Sequence, residues 1–205
     1  MQLSRIVIGS DDAPVRDLAD RLSAVLSPIP GRVDALEAWR DAVATLAPAD
    51  QIVVAPWSAR PEPARLVATG LDAWLARTED AIASWVFALG VAAARCADGG
   101  AIVALVERPA PLDCAGFAPE AAVADAACAL VRSLARSEGA RGVRVNAVVT
   151  SARLAPQRPV APAPALASFP GTLEREVAGA LRILLAGDAC GITGQTIAAD
   201  CGRTW

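Results

Sequence analysis

The chain has 205 residues, enough for one domain over 1–205 with a substantial core, and a formal net charge of −3 without any basic block. That balance argues against nucleic acid as a partner. Hydrophobic residues reach 54%, but much of this is alanine, and the longest uncharged apolar run, Ala81 to Ala94, is too short to cross a bilayer.

Met1-Gln2-Leu3-Ser4-Arg5 leads straight into Ile6-Val7-Ile8, without the layout of a signal peptide, so the expected compartment is the cytoplasm. Arg5 to Ile8 reads as a buried strand, followed by Gly9-Ser10-Asp11-Asp12. A helix is predicted from about Pro14 to Leu26, with Val15, Leu18, Leu22, Val25 and Leu26 on one face. Ser27 to Gly31 then reads as a loop, and Asp34 as the cap of a helix reaching about Leu46, where Pro48 ends it. Gln51 to Val54 is the next strand, and a loop from Ala55 to Pro63 leads to helical sequence over about 71–96. Ala101 to Val106 is a strand, and 119–138 a helix carrying Val123, Ala127, Leu130, Val131 and Leu134. Val143 to Val149 is a strand. Ala155 to Pro170 is too rich in Pro and Ala for regular structure, and a helix over 172–186 precedes a last strand at 195–199. Strands separated by helix-length connections predict an α/β, doubly wound, Rossmann-like parallel sheet with helices on both faces.

The cysteines at 96, 114, 128, 190 and 201 have no C-x-x-C spacing, and there is no histidine to complete a zinc site, so they read as buried or spare thiols and no metal is expected. The chain also contains no tyrosine and no lysine. Positive charge rests on arginine, which does not give up its proton. Mechanisms that need a tyrosinate, an imidazole or a lysine amine are therefore excluded, and Asp, Glu and Cys are left for proton transfer.

From Gly100 onward the order of motifs resembles that of the short-chain dehydrogenase/reductase family. Gly100-Ala-Ile-Val103 is similar to its G-x-I-V strand. Ser133-Leu-Ala-Arg136 with Gly142-Val-Arg-Val-Asn-Ala147 is similar to its slA…gIRVNav signature, and Ile192-Thr-Gly-Gln195 with Asp200-Cys-Gly202 to its closing itGq…vDGG. The first half matches in layout, with one strand–helix unit trimmed between Leu26 and Gln51, so the resemblance implies a truncated version of the family fold.

The resemblance also implies what each functional position should hold. In the family's T-G-x-x-x-G-x-G loop, Gly9 keeps the first glycine, while Ala13 and Val15 stand at the other two. A Cβ there obstructs close approach of a pyrophosphate. Asp11 and Asp12 would cap the helix and repel a phosphate at its positive end; the alternative is a cation site. The family's Asn-Asn-Ala-Gly becomes Val54-Ala55-Pro56-Trp57. Trp57 reads first as a surface or interface residue and second as a plug for the pocket. The catalytic asparagine falls at Ala81, the tyrosine at Val123 and the lysine at Ala127. The serine falls at Ala110, or at Glu107 if the loop carries an insertion, and Pro-Gly becomes Thr150-Ser151. Asn146 should tie loops together and Arg144 make an ion pair. The helices over 71–96 and 119–138 and the C-terminal segment correspond to the family's subunit contacts.

These substitutions lead to the expectation of a non-catalytic subunit that binds no cofactor itself. It would support an active NAD(P)-dependent paralogue in a heterotetramer, with a homodimer as the fallback. The arrangement is similar in type to 2-(hydroxybenzyl)succinyl-CoA dehydrogenase, which pairs a degenerate subunit with an active one and suggests an acyl-thioester hydroxy or keto substrate. The alternatives are a stand-alone small-ligand-binding or regulatory protein, and an oxidoreductase using Glu107, Asp113 or Cys114.

Overall fold

The computed structural model describes residues 3–110, 115–154, 166–169 and 171–203. Its sheet has strands β1 (Arg5–Gly9), β2 (Val25–Pro28), β3 (Ala49–Ala55), β4 (Cys96–Glu107), β5 (Arg144–Thr150) and β6 (Thr196–Ala198). They run in the order β2-β1-β3-β4-β5-β6, with every pairing parallel. The helices are α1 (Ala13–Arg21), α2 (Leu36–Val43), α3 (Leu71–Arg95), α4 (Ala118–Ser137) and α5 (Ala178–Leu185). This is the Rossmann-like architecture expected from the alternation of strands and helices.

Period-two alternation divides the core between the two faces of the sheet. Ile52 and Val54 of β3, with Ile102, Ala104 and Val106 of β4, pack against α2, α3 and α4. Val53, Ala101, Val103 and Leu105 point the other way, to Val15 and Leu18 of α1 and Leu181 and Leu184 of α5. Gly100 fits because a Cβ there would lie 2.7 Å from the Asp50 carbonyl.

The first helix is shorter than its apolar period suggests. It stops at Arg21 because Ser23 takes a left-handed φ of 51°, and the N–H of Ala24 returns to the Ala19 carbonyl. Val25 and Leu26 therefore leave the predicted helix and join β2, pairing with Ile6 and Val7. The predicted loop at Ser27 is also strand. Pro28 is tolerated there because β2 is an edge that needs no donor on its outer side. Asp34 sits inside a short 3-10 turn and bonds Arg32 instead of capping α2. The predicted final helix opens with a π turn over Leu173–Val177, capped by the Thr172 side chain. Most of the Pro- and Ala-rich stretch 155–170 lies outside the described residues.

Candidate functional site

Strand order reverses between β1 and β3, so the loops leaving their carboxyl ends diverge and open a crevice, the usual ligand position in this architecture. The β1–α1 turn forms one wall. A Cβ on Gly9 would meet the Ala55 carbonyl at 2.7 Å and Val15 Cγ1 at 2.9 Å. The glycine thus serves the chain's own packing, with Val15 fully buried behind it. Ala13 opens α1. Asp12 is its N-cap, accepting from the Val15 N–H at 3.0 Å, and Asp11 pairs with Arg16 at 2.7 Å. The positive end of α1 is already answered by a carboxylate of this chain. The groove beside it is lined in part by Ser10, Asp11, Gly31, Trp57 and Asp80, and among the described residues none that lines it is a cation.

Trp57 sits at the other wall and is 6% exposed, which overturns the surface or interface reading. Its indole N–H donates to the Leu105 carbonyl at 2.8 Å, and its ring packs with the Val15 and Val53 cluster. The Arg153 guanidinium lies 4.7 Å from the ring centroid. Arg153, which the sequence reading did not single out, joins the carboxyl ends of the strands: Nη1 is 3.2 Å from Glu107 Oε2, and Nη2 is 3.3 Å from the Ser58 carbonyl and 4.0 Å from Asp12 Oδ2.

Beyond Trp57 a cavity of about 100 Å³ opens between the ends of β3 and β4 and the amino-terminal halves of α3 and α4. Ala81 and Val123 both line it, together with Trp85, Ala124 and Leu154. Ala127 and Ala110 are buried outside its wall. Two ion pairs border the cavity. Arg77 donates to both oxygens of Glu120, at 2.8 and 2.7 Å, and Arg153 faces Glu107. Burial pushes the Glu107 carboxyl up to about 7, against the opposing pull of Arg153. One of its oxygens, Oε1, is buried without a partner among the described residues. Asp113 and Cys114 lie outside the described residues.

The rear of the sheet is tied differently. Asn146 is fully buried; its amide donates to the Ile192 carbonyl at 2.8 Å and its oxygen accepts from the Gln195 N–H at 3.0 Å. Arg144 was expected in an ion pair. It donates instead to the carbonyls of Leu184 and Ala186, at 2.8 and 3.1 Å, where it satisfies the C-terminal end of α5.

The family profile described as enoyl-(acyl carrier protein) reductase matches residues 8–204. The chain belongs to the short-chain dehydrogenase/reductase family. A short-chain dehydrogenase/reductase from Serratia marcescens superposes with a TM-score of 0.71 at 20% identity, covering 98% of each chain. An enoyl-(acyl carrier protein) reductase from Anaplasma phagocytophilum, solved with NAD, gives 0.65 at 20% identity over 97% of this chain and 81% of the other. A blue fluorescent protein from a metagenomic library, solved with NADPH, gives 0.68 at 21% identity over 98% and 88%. At these identities the likeness to the solved structures is one of fold. No curated protein matches the sequence significantly.

Among the described residues no helix is long and apolar enough to cross a membrane. The apolar periodicity of the two long helices serves mostly the core. Trp85, Leu89, Ala127 and Val131 are buried, and Val123, Leu130 and Leu134 pack partly against the core. What faces outward is mixed: Leu71, Leu75, Glu79, Val86, Gly90 and Ala94 on α3, and Ala122, Asp125, Ala129, Arg132, Ser133 and Arg136 on α4.

Proposed function

We propose that this chain is a non-catalytic subunit of a hetero-oligomeric short-chain dehydrogenase, supporting an active NAD(P)-dependent paralogue on an acyl-thioester hydroxy or keto substrate. The observation that carries it is the pair Val123 and Ala127: an apolar cavity wall and a core residue stand where the family's tyrosine and lysine would be, in a chain with neither residue type. No other side chain can supply a tyrosinate beside an ammonium.

The residues of the crevice do not fit a dinucleotide. A pyrophosphate at the α1 amino terminus would displace the Asp12 cap, meet Asp11, and find Val15 where backbone must come close. NAD(P) belongs, on this reading, to the active partner. The outer face of α3 supports association, because it exposes Leu71, Leu75 and Val86 and carries Gly90, where a second helix can approach closely.

The test has two parts. Titration calorimetry of the purified chain with NADH and NADPH is expected to give no micromolar binding. Co-expression with an active paralogue, followed by light scattering and subunit-resolved mass spectrometry, is expected to give a mixed tetramer. Gly90→Arg should abolish it without unfolding the chain, since a Cβ at Gly90 has no neighbour within 4 Å. A stable monomer that ignores the paralogue, or ketone reduction by the chain alone, overturns the reading.

A further inference from the structure

Most arginines of this chain have a partner within it. Arg77, Arg141 and Arg153 pair with carboxylates, and Arg5, Arg95 and Arg144 donate to backbone carbonyls. Arg132 and Arg136 do neither among the described residues, although they stand one turn apart on an exposed face of α4. Like charges at i and i+4 repel and weaken a helix. The negative end of the helix dipole accounts for Arg136, which lies in the last turn; Arg132, a turn earlier, is beyond its reach. Between these guanidinium groups and the loop before β6 runs an open groove of about 550 Å³, lined by Arg132, Ser133, Ala135, Arg136, Thr193 and Gly194. It has two cations and two hydroxyls, and no carboxylate lines it among the described residues. Ser133 makes no hydrogen bond among the described residues, whereas Ser84 of α3 and Ser137 of α4 both turn back to a helix carbonyl. Thr193 Oγ1 accepts from the Val145 N–H at 3.1 Å, which leaves its own hydrogen to donate. The Gly194 N–H bonds the Val145 carbonyl at 2.7 Å, so the loop that carries Thr193 is held against β5 without help from a ligand.

We propose that this groove is an anion site that takes a phosphoryl group, held by Arg132 and Arg136 with the hydroxyls of Ser133 and Thr193. A guanidinium fork donates two parallel N–H bonds to an oxyanion. A carboxylate, with two oxygens and one charge, is saturated by one such fork. A phosphate dianion has the oxygens and the charge for two forks and the hydroxyls, and it cancels the repulsion between the two arginines. The groove extends beyond the charged pair, so the phosphoryl end of a small ester fits as well as free phosphate. The site lies at the end of α4 away from Val123 and outside the crevice beside α1, where Asp11 and Asp80 line the wall. It needs neither a dinucleotide nor a partner subunit, so it stands or falls separately from the subunit role.

Inorganic phosphate, phenyl phosphate and acetate are the probes, titrated into the full chain at low ionic strength and followed by the backbone amide resonances of Ser133, Thr193 and Gly194. Both phosphates should give saturable shifts at these amides, with dissociation constants at least roughly tenfold below that of acetate. Tighter binding of phenyl phosphate than of phosphate identifies the phosphoryl end of an ester as the ligand, and the reverse order identifies the free ion. Arg132→Gln and Arg136→Gln should each weaken phosphate binding roughly tenfold or more, the value of one hydrogen bond to a charged group. Both side chains are exposed, so the variants should keep the rest of the native spectrum. Arg65→Gln removes another exposed arginine, outside the groove, and should leave the affinity unchanged. Equal affinities for phosphate and acetate, an equal loss in Arg65→Gln, full binding by the double variant Arg132→Gln with Arg136→Gln, or no saturable shift at these amides with either phosphate overturns the proposal.

Discussion

Asn146, in the amino-terminal half of β5, and Glu107, at the carboxyl end of β4, are both polar side chains with little or no exposure, and their surroundings differ sharply. Asn146 spends its amide on the loop before β6, with a donor and an acceptor each matched to a backbone partner. Glu107 faces a cavity with one oxygen unmatched and a carboxyl pushed up to about 7. A group that is fully bonded to its own chain holds the architecture together. A group that is not fully bonded keeps binding capacity for something else. The family motifs legible at 144–147 and 192–195 belong to the first kind, as do Asp12, Trp57 and Glu120 at the crevice and cavity, and Glu107 belongs to the second. Asn146 and Glu107 thus differ in what they are bonded to, and the two can be separated experimentally.

The largest effect should come from Trp57, which forms one wall of the crevice. Trp57→Ala removes a buried ring, the bond to the Leu105 carbonyl and the surface on which Arg153 rests. A loss of about 3–5 kcal/mol is expected in urea denaturation. A loss below about 1 kcal/mol would mean that this side chain is not part of the core. Asn146→Ala comes next. It strands the Ile192 carbonyl and the Gln195 N–H, so about 2–3 kcal/mol should be lost. If Asn146→Ala costs less than Glu107→Gln, the contrast between a structural and a binding residue is wrong.

Glu107 makes a subtler prediction, read in the pH dependence of stability. Its carboxyl is raised in the folded chain from 4.5 to about 7, first by burial. Between those values the folded state holds a proton that the unfolded state has released, so the native chain loses stability as pH rises from about 4.5 to about 7. Below 4.5 the group costs nothing. Glu107→Gln removes this term, and the difference between variant and native chain should grow over that window and level off above it. Asp50 and Glu176 shift the opposite way, lowered by their hydrogen bonds to Ser4 and Thr172, and lose their contribution in acid. They are common to both proteins and cancel in the difference. A flat difference across the window would place Glu107 in contact with water and remove its burial.

The parallel sheet was legible because strand runs such as Ile52-Val53-Val54 and Ile102-Val103-Ala104 feed both faces and are apolar throughout. β2 was not, because Val25 and Leu26 continue the helical period of Val15, Leu18 and Leu22. The break rests on the left-handed Ser23, a residue type that does not announce that conformation. In the site, Gly9, Ala13, Val15, Ala81 and Val123 could be found by motif order. The burial of Trp57 could not, since its contacts arrive from Leu105 and Arg153, far along the chain on other strands. The same holds for Arg77 and Glu120, whose pairing joins α3 to α4 across 43 positions. The signal for Arg153 was weak: a lone arginine shortly after a buried strand, where a charge needs a partner.

The smallest effect is expected at Gly90, and it bears on whether the long helices serve the fold or an interface. Gly90 lies inside α3 on its exposed side, and a Cβ there has no neighbour within 4 Å. A glycine in that place costs helix stability without gaining anything within the isolated chain, about 0.5–1 kcal/mol relative to alanine. Gly90→Ala should therefore raise the denaturation midpoint of the isolated chain by that amount. In a complex the outcome depends on what covers the helix. If a neighbouring helix crosses at Gly90, the added methyl must be accommodated between two backbones, and the stabilising effect should vanish or reverse in the assembled protein. If nothing crosses there, the gain should be the same with and without a partner. Measuring one substitution in both states separates the two cases, because the helix term is common to them and only the packing term differs. An equal gain in both states would move the interface off α3, while leaving the cavity at Glu107 untouched.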